Sequence, residues 1–322
     1  MKKQKVNGEI AMAENELQKN FFTRLRRKYK NEISAYTIIG IPLIWWGIFF
    51  VIAFVWALLA SITDMRGGYG WEYANTYTFV NYINVFKAGS QQAEAFWSAM
   101  KVTIIWTLVM TVLNNVMGLL CAFLIKSLKK GGKLFLALLF WPSLVSAVVS
   151  ADITRTLFAN DTSGIFNQII VALGGNVVPW LESPSTALFA MMFVSFFFGF
   201  CQKLLIYYSS IISIPESYYE AASLETNSKS KVFFKITLPL MKNAIVLNTL
   251  LSIIEGFKIL GPMQLIPSEG TESVMLLIYK TLFEAPSRVG QGCAYAFVLF
   301  IVILIISLIQ RKIAGKEETS IE

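Results

Sequence analysis

Long apolar stretches alternate with short polar segments along almost the whole chain. A helix needs about 20 apolar residues to cross the hydrocarbon core of a bilayer. Six stretches approach or exceed that length, and they occupy residues 38–62, 96–125, 134–154, 186–212, 243–260 and 293–309. The pattern predicts an all-α integral membrane protein with six transmembrane helices. An even number of crossings places both ends of the chain on one side of the membrane.

The composition supports this class, because 55% of the residues are hydrophobic and 15% are charged, with a mean hydropathy of +0.58. Such values exclude an ordinary soluble domain. The net charge of +8 does not indicate nucleic-acid binding, because the basic residues fall mainly at the borders of the apolar stretches. Membrane topology accounts for these charges.

The distribution of Lys and Arg predicts the side that each segment faces, since short cytoplasmic segments retain basic residues. Twenty of the 28 basic residues fall in the tail before residue 35, the turn at 126–133, the polar segment up to residue 242 and the C-terminal tail. The alternate loops hold four, which are Arg66, Lys87, Lys280 and Arg288. Both termini are therefore predicted to be cytoplasmic.

Three regions are predicted along the chain: a basic cytoplasmic tail at 1–35, one membrane domain at 36–313 and a cytoplasmic C-terminal tail at 314–322. The first apolar stretch is long enough to remain as an anchor, and no cleavable signal peptide is evident before it. In the tail, Phe21, Phe22 and Leu25 are interleaved with basic residues. That pattern fits either a short helix on anionic lipid or a solvated topology signal.

One polar, basic segment lies between the fourth and fifth apolar stretches. Residues 215–240 read PESYYEAASLETNSKSKVFFKITLPL. Pro215 can open a helix that ends before Asn227, and a second short helix is predicted over 229–237. Pro239 disfavours helical dihedrals at Leu238, which predicts a sharp re-entry into the membrane. An ordinary amphipathic cytoplasmic loop is the alternative interpretation.

The spacing in this segment matches a sequence motif. The motif is Glu-Ala-Ala, followed after three residues by a position that is usually Gly, and after nine more residues by Ile-x-Leu-Pro. The matching residues are Glu220, Ala221, Ala222, Thr226, Ile236, Leu238 and Pro239. The segment, taken as 213–240, resembles the cytoplasmic EAA coupling loop of ABC importer permeases. Thr226 replaces the usual Gly and adopts a left-handed turn poorly. The turn is therefore predicted to shift to Asn227, which tolerates that conformation.

Other segments extend the resemblance, which is to the carbohydrate-uptake, maltose/glycerol-phosphate-type subfamily. Residues 160–167 resemble the family's external turn before a helix start. Residues 292–296 resemble its Gly-x-Ala-x-Ala entry to the last span, whose small residues permit close helix packing. Residues 64–95, rich in Gly and aromatic side chains, predict an ordered external loop, with a membrane-surface aromatic belt as the alternative.

The resemblance implies a type I ABC importer transmembrane domain in a bacterial-type cell membrane. It also implies a second related permease chain, two ATP-binding subunits and an extracytoplasmic solute-binding protein that delivers a carbohydrate, with an oligosaccharide favoured. The matching residues of the EAA segment would couple the chain to an ATPase. Ala221 and Ala222 would let a helix seat in a groove of that ATPase, and Glu220 would meet a basic residue or a helix end there.

The chain contains no histidine and no G-x-x-x-x-G-K-[ST] phosphate loop. A His-based triad, a His metal site and ATP binding by that loop are therefore excluded. No catalytic, cofactor or metal site is predicted, and ATP and Mg²⁺ are expected on the partner ATPase. Cys121, Cys201 and Cys293 lie in or beside apolar stretches, which favours small core residues over a disulfide framework.

Polar side chains inside the apolar stretches are costly, so they are candidates for the substrate path. They are Lys203, Glu255, Lys258, Asn114 and Asn115. Glu255 and Lys258 stand three apart on one helix, so they can form a structural ion pair or line the path. Lys203 can line the path or extend toward an interface. The two asparagines favour bonding to a neighbouring helix over donating to a sugar.

An ion-coupled secondary transporter or channel subunit is the alternative function, because Glu255 and Lys258 lie within the membrane. A neighbouring gene for an ATPase or a binding protein would favour the importer. Transport by the purified chain alone would favour the alternative. An intramembrane enzyme lacks any catalytic constellation to support it.

Overall fold

The computed structural model describes residues 36–128 and 130–316. The predicted N-terminal tail, with its lipid-facing helix, and residues 317–322 lie outside this range. The described backbone is helical apart from turns, loops and an isolated antiparallel bridge between Thr63 and Tyr77. The chain divides into two compact units, one ending at Leu59 and one starting at Ala60.

The helices are numbered in chain order. The first unit holds most of α1, Tyr36–Ser61, whose apolar side chains are largely exposed. In the second unit the helices are α2 (Val80–Phe86), α3 (Gln91–Ser127), α4 (Gly132–Phe140), α5 (Ala147–Leu157), α6 (Ile165–Ala172), α7 (Pro184–Ser213), α8 (Glu216–Glu225), α9 (Lys229–Val232), α10 (Leu238–Leu240), α11 (Lys242–Phe257), α12 (Gly261–Leu265), α13 (Val274–Phe283) and α14 (Val289–Lys316). Short 3₁₀ turns occupy Trp71–Tyr73 and Trp141–Leu144, and a π-helical turn occupies Phe233–Thr237.

Among the described residues, five helical spans are long and apolar enough to cross a membrane. They are α1, α3, α7, the α11–α12 span Lys242–Leu265 and Val289–Ile313 of α14. A bent helix pair makes a sixth if it is taken as one span. The predicted fold class, an all-α membrane protein, is confirmed.

The third predicted span is not a straight helix. Residues 132–144 and 147–157 meet at an angle of 89°. Pro142 stands in the 3₁₀ turn and donates no backbone hydrogen bond. Val145 is then extended, and the Ser146 side chain caps α5 by accepting from the amide of its third residue. The sequence WPSLVS thus ends one helix and starts another within what hydropathy presents as one apolar stretch.

Helices α3, α7 and α11 cross closely at the centre of the second unit. A Cβ added at Gly118 of α3 would lie 3.0 Å from the Lys203 Cβ on α7. One added at Gly256 of α11 would lie 2.6 Å from Thr107 Oγ1 on α3. Glycine at such crossings lets helix backbones approach, as in membrane bundles generally. The close approach brings the polar side chains of three helices within hydrogen-bonding distance.

The loop after α1, which the sequence predicts to be external, is crossed by side-chain hydrogen bonds. The Asp64 carboxylate accepts hydrogen bonds from the amides of Thr76 at 2.8 Å and Asn75 at 2.9 Å. The hydrogen bond from the Thr76 amide has the largest effect, and with the bond from Asn75 it lowers the pKa of Asp64. The Ser61 and Tyr82 hydroxyls are also 2.6 Å apart. Side-chain bonds across the loop therefore hold it in one conformation.

Asn167 organises the loop between α5 and α7. Its amide nitrogen donates to the carbonyls of Ala159 at 2.8 Å, Val178 at 2.9 Å and Asp161 at 3.1 Å. Its amide oxygen accepts from the Val178 amide at 3.0 Å and the Trp180 indole at 3.1 Å. The side chain is fully buried, so these bonds satisfy an amide that water does not reach. The helix start predicted within 160–167 is confirmed by α6.

Small residues at the start of α14 pack closely, as predicted for 292–296. A Cβ at Gly292 would lie 2.6 Å from the Leu282 side chain, and Ala294 is fully buried. Cys293 and Cys201 are buried as free thiols. Their burial among helices agrees with the predicted role of small core residues.

Candidate functional site

The polar segment between α7 and α11 folds into two consecutive helical pieces, as predicted. Pro215 stands at the N-cap of α8, and the amide of Thr226 closes that helix on the Ala222 carbonyl at 2.9 Å. Ser228 then starts α9 by accepting from the Lys231 amide at 3.4 Å. The π-helical turn and α10 continue from α9 toward the membrane span α11.

Two details of the predicted turn are wrong. Thr226 is extended, with φ −155° and ψ 141°, and no described non-glycine residue has a positive φ, so Asn227 makes no left-handed turn. A β-branched residue favours the extended conformation. Leu238 is helical, with φ −62° and ψ −45°. Pro239 falls in the first turn of α10, where a proline is tolerated because no helical partner requires its N–H.

The two faces of α8 have different surroundings. On the inner face Ala222 is buried, and the Tyr219 hydroxyl lies 3.3 Å from Thr237 Oγ1. The outer face presents Glu216, Glu220, Ala221 and Leu224. Leu224 is 90% exposed, although its side chain is large and apolar. The outer face of α8 therefore carries both carboxylates and an exposed apolar side chain.

The C-terminal part of the EAA segment mostly faces the chain itself. Ile236 and Leu238 are half-buried, whereas Pro239 is exposed. The Phe233 ring packs against the Phe123 ring of α3, with centroids 4.7 Å apart. The seven motif residues therefore divide between an outward-facing group on α8 and a group that anchors the segment to the membrane domain.

A polar cluster lies where α3, α7 and α11 cross. The Lys203 ammonium donates to the Glu255 carboxylate at 2.8 Å across the α7–α11 contact. The Lys203 side chain is 3% exposed, whereas that of Glu255 is 56% exposed. Lys258 follows the last residue of α11, is exposed and forms no ion pair with the described residues. The partner of Glu255 is thus Lys203 on another helix, and not Lys258.

Asn115 joins the same three helices through its amide. Its nitrogen donates to Ser252 Oγ at 2.9 Å and to the Thr111 carbonyl at 2.7 Å. Its oxygen accepts from the Tyr207 hydroxyl at 2.6 Å. Asn248, one turn before Ser252, donates to the Lys203 carbonyl at 3.2 Å. The interpretation of Asn115 as a link between helices agrees with these bonds.

Asn114 is placed differently from its neighbour. It is buried, and its amide oxygen has no hydrogen-bond partner among the described residues. It packs on Gly199 of α7, where an added Cβ would lie 2.8 Å from the Asn114 amide nitrogen. Of the five predicted path candidates, Lys203, Glu255 and Asn115 belong to the cluster, while Asn114 adjoins it and Lys258 lies outside it.

Four residues of these two sites were not among the predicted site residues: Tyr207, Asn248, Ser252 and Leu224. Asn248, Ser252 and Glu255 stand at i, i+4 and i+7, so they share one face of α11. That spacing of polar residues in an apolar stretch is a signal that can be read from the sequence. The exposure of Leu224 depends on which face of α8 packs inward.

A separate ion pair occupies α5. Arg155 bonds Asp152 at 3.2 Å, and its guanidinium also donates to the Leu265 carbonyl of α12. Both side chains of the pair are more than half exposed. It therefore ties α5 to α12 at the surface and does not belong to the polar cluster.

The structure combines membrane-length helices, a polar cluster between three of them and an exposed helix, α8, outside the spans. The model of the family described as "Binding-protein-dependent transport system inner membrane component" matches residues 114–316. The chain belongs to this family. The match includes the polar cluster and the whole EAA segment, and the predicted resemblance to sugar ABC importer permeases is confirmed.

Several sugar-transport permeases are similar in sequence to most of the chain. It is 31% identical over 225 residues to the arabinooligosaccharides transport system permease protein AraP of Bacillus subtilis, covering 69% of this chain and 71% of that protein. It is 27% identical over 237 residues to the trehalose/maltose transport system permease protein MalF of Thermococcus litoralis, covering 72% and 78%. It is 26% identical over 302 residues to the multiple sugar-binding transport system permease protein MsmF of Streptococcus mutans, covering 91% and 99%.

The fold is also similar to a solved structure. A chain of a bacterial ABC transporter involved in the import of the acidic polysaccharide alginate superposes with a TM-score of 0.75 at 20% identity. The match covers 91% of this chain and 99% of that chain. The likeness shows that the two chains share a fold over most of their length.

Proposed function

We propose that the chain is a permease subunit of an ATP-driven importer that carries a carbohydrate, an oligosaccharide in particular. The observation that carries the proposal is the family match over residues 114–316, which spans the coupling segment and the polar cluster together. The relatives named for arabinooligosaccharides and for trehalose and maltose support the substrate class.

The outer face of α8 is the proposed contact with the ATPase. Glu220 supplies a carboxylate for a basic residue or a helix end, Ala221 permits close approach, and Leu224 supplies an apolar anchor. Truncation of a central apolar anchor in an interface costs about 2 kcal/mol or more when the pocket it fills is well packed. The buried Ala222 and the half-buried Ile236 and Leu238, with Pro239 beside them in the chain, would transmit movement of α8 to the membrane domain.

The polar cluster is the proposed wall of the substrate path. Glu255 offers an exposed carboxylate that Lys203 holds in place, and hydroxyl groups of a sugar can donate to such an oxygen. Asn115 would hold the three helices in register, and Asn114 has an unused acceptor beside them. Lys258, exposed beyond the end of α11, would act at the margin of the path.

The proposed assembly contains a second, related permease chain, two ATP-binding subunits and an extracytoplasmic solute-binding protein. A solved alginate ABC transporter is in complex with an alginate-pentasaccharide-bound periplasmic protein, which supports a solute-binding partner here. ATP and Mg²⁺ would bind to the ATPase subunits. The chain would be a multi-pass protein of a bacterial-type cell membrane with both termini cytoplasmic, as the distribution of Lys and Arg predicts.

The ion-coupled alternative loses its main support. It was based on Glu255 and Lys258 as membrane charges available for ion coupling, and Glu255 is already neutralised by Lys203 at 2.8 Å. A carboxylate with a fixed cationic partner is a poor proton or cation carrier, because it must first break the ion pair.

Assembly with the partner subunits tests the proposal directly. The chain would be co-expressed with the ATPase, permease and binding-protein subunits of the proposed assembly, and oligosaccharide-stimulated ATP hydrolysis would be measured in proteoliposomes. Glu220→Lys should abolish stimulation and uptake while the chain still inserts into the membrane. Wild-type uptake by a fully assembled Glu220→Lys complex would refute the docking role, and uptake by the purified chain alone would refute the importer.

A further inference from the structure

A cavity of about 310 Å³ lies between the end of α3 and the helical pieces α8 and α9. The residues of its wall that matter here are Phe123 and Lys126 of α3, Tyr219 and Ser223 of α8, and Lys229 and Val232 of α9. Of the α8 residues in this wall, Tyr219 is half-buried and Ser223 is exposed. Thr226 of the EAA motif also lines the cavity, whereas Glu220, Ala221 and Leu224 of the outer face do not.

The wall of this cavity combines cationic and apolar side chains from both α3 and α9. The Lys126 ammonium lies 3.6 Å from the centroid of the Tyr219 ring, an arrangement that leaves its N–H donors available to an anion. Lys229 lines the cavity from α9 and is exposed. Among the described residues, no acidic side chain lines the cavity. Phe123 and Val232 supply the apolar surface, so the complementary ligand carries a negative charge next to an alkyl group.

The position of the cavity favours a lipid over a dissolved anion. Lys126 stands in the last turn of α3, a helix long and apolar enough to cross a membrane, so the cavity lies at the end of a membrane-length span. Two exposed leucines precede Lys126 along α3, namely Leu124 and Leu120. They provide a surface for an acyl chain, which a free phosphate would leave unused. Basic sites at helix ends bind anionic headgroups in this way.

We propose that this cavity binds the phosphodiester headgroup of an anionic phospholipid. The two ammonium groups contact the phosphate, and one acyl chain follows the exposed face of α3. A headgroup held between Lys126 and Lys229 joins the end of α3 to α9 and fixes the position of α8 between them. The inference rests on the proposed function only where it identifies α8 and α9 as parts of the coupling segment. Binding of the headgroup itself needs no ATPase.

Lipid retention by the purified full-length chain tests the inference. The chain would be equilibrated with mixed micelles of phosphatidylglycerol and phosphatidylcholine, and bound lipid would be counted by native mass spectrometry. Each lysine near a surface contributes about 1 kcal/mol to binding of anionic lipid, so Lys126→Gln combined with Lys229→Gln should weaken phosphatidylglycerol retention about thirtyfold. Lys126→Arg with Lys229→Arg should restore it, which excludes misfolding as the cause.

Lys130→Gln with Lys133→Gln is the matched control, because it removes the same charge from the neighbouring turn without touching the cavity. An equal loss of lipid in this control would overturn the inference. So would displacement of phosphatidylglycerol by equimolar sn-glycerol 3-phosphate, since the site would then belong to a soluble phosphate. Release of the lipid when the ATPase subunits assemble would assign the cavity to that partner instead. Glu220→Lys should leave retention unchanged, so failure of the coupling proposal is distinguishable from failure of this one.

Discussion

The ammonium group of Lys203 on α7 lies 2.8 Å from the carboxylate of Glu255 on α11. The two partners differ greatly in exposure, because the Lys203 side chain is 3% exposed and that of Glu255 is 56% exposed. Removal of the carboxylate leaves a buried cation without compensation. Removal of the cation leaves a carboxylate whose side chain is more than half exposed. The buried Lys203 ammonium therefore depends more on Glu255 than the exposed Glu255 carboxylate depends on Lys203.

Glu255→Gln should consequently destabilise the protein more than Lys203→Met does. Loss of one partner of a buried pair costs about 3 kcal/mol when the remaining charge is buried, whereas an exposed remaining charge costs about 1 kcal/mol or less. Unfolding free energies would be measured by denaturant titration in mixed micelles. Asp152→Asn, in the exposed pair on α5, is the control and should change the unfolding free energy by less than about 1 kcal/mol. Equal losses from the two central variants would contradict the asymmetry.

Tyr207→Phe should lower stability by about 1–3 kcal/mol, because it leaves the Asn115 oxygen without its hydroxyl donor in a buried site. The same titration measures the change. Tyr208→Phe is a suitable control, since the neighbouring side chain is only half-buried and its hydroxyl contributes nothing to the cluster. Indistinguishable stabilities of the two variants would show that the 2.6 Å bond does not hold the helices.

Gly256→Ala should disturb the crossing of α11 with α3. The new Cβ would lie 2.6 Å from Thr107 Oγ1 and 2.9 Å from the Thr107 Cα, so backbone must shift at a cost of about 1–3 kcal/mol. Gly47→Ala makes the same chemical change in α1, where nothing lies within 4 Å of the added atom. That control should be neutral or slightly stabilising because alanine favours the helix. A neutral result at Gly256 would argue against close packing there.

Leu224→Glu should leave the isolated chain as stable as the wild type, because the side chain is 90% exposed. In the assembled transporter the variant should reduce substrate-stimulated ATP hydrolysis at least tenfold, since loss of an apolar anchor costs about 2 kcal/mol of interface energy. Ser230→Glu adds the same charge on α9 and should have little effect. If both variants hydrolyse ATP normally, the outer face of α8 does not dock the ATPase.

Much of the fold follows from hydropathy, because five of the six apolar stretches coincide with membrane-length helices. The stretch at 134–154 shows where that reasoning ends. Its hydropathy is continuous, yet Pro142 and the cap at Ser146 divide it, and local hydrogen bonding overrides average hydrophobicity. Helix periodicity also predicts that Ser252 and Glu255 lie on one face of α11.

Interhelical partners are harder to predict than helices. Glu255 and Lys258 are close in sequence, but α11 ends at Phe257, so Lys258 lies outside the helix. Glu255 instead pairs with Lys203, which is 52 residues away in the sequence. Such a contact depends on how glycines let helices cross, which one sequence does not specify. The EAA spacing predicts where the coupling segment lies. It does not predict that Thr226 is extended or that Leu224 faces outward, because both depend on the three-dimensional path of the backbone.

The π-helical turn at Phe233–Thr237 has a mechanical consequence. Because Leu238 is helical, the backbone from Lys229 to Phe257 is helical except at Met241, and at 1.5 Å per residue its helical path is about 40 Å long. An irregular re-entry would have absorbed a displacement of α9. A path with one non-helical residue instead links α9 to Glu255 near its far end, so a displacement at one end is carried toward the other.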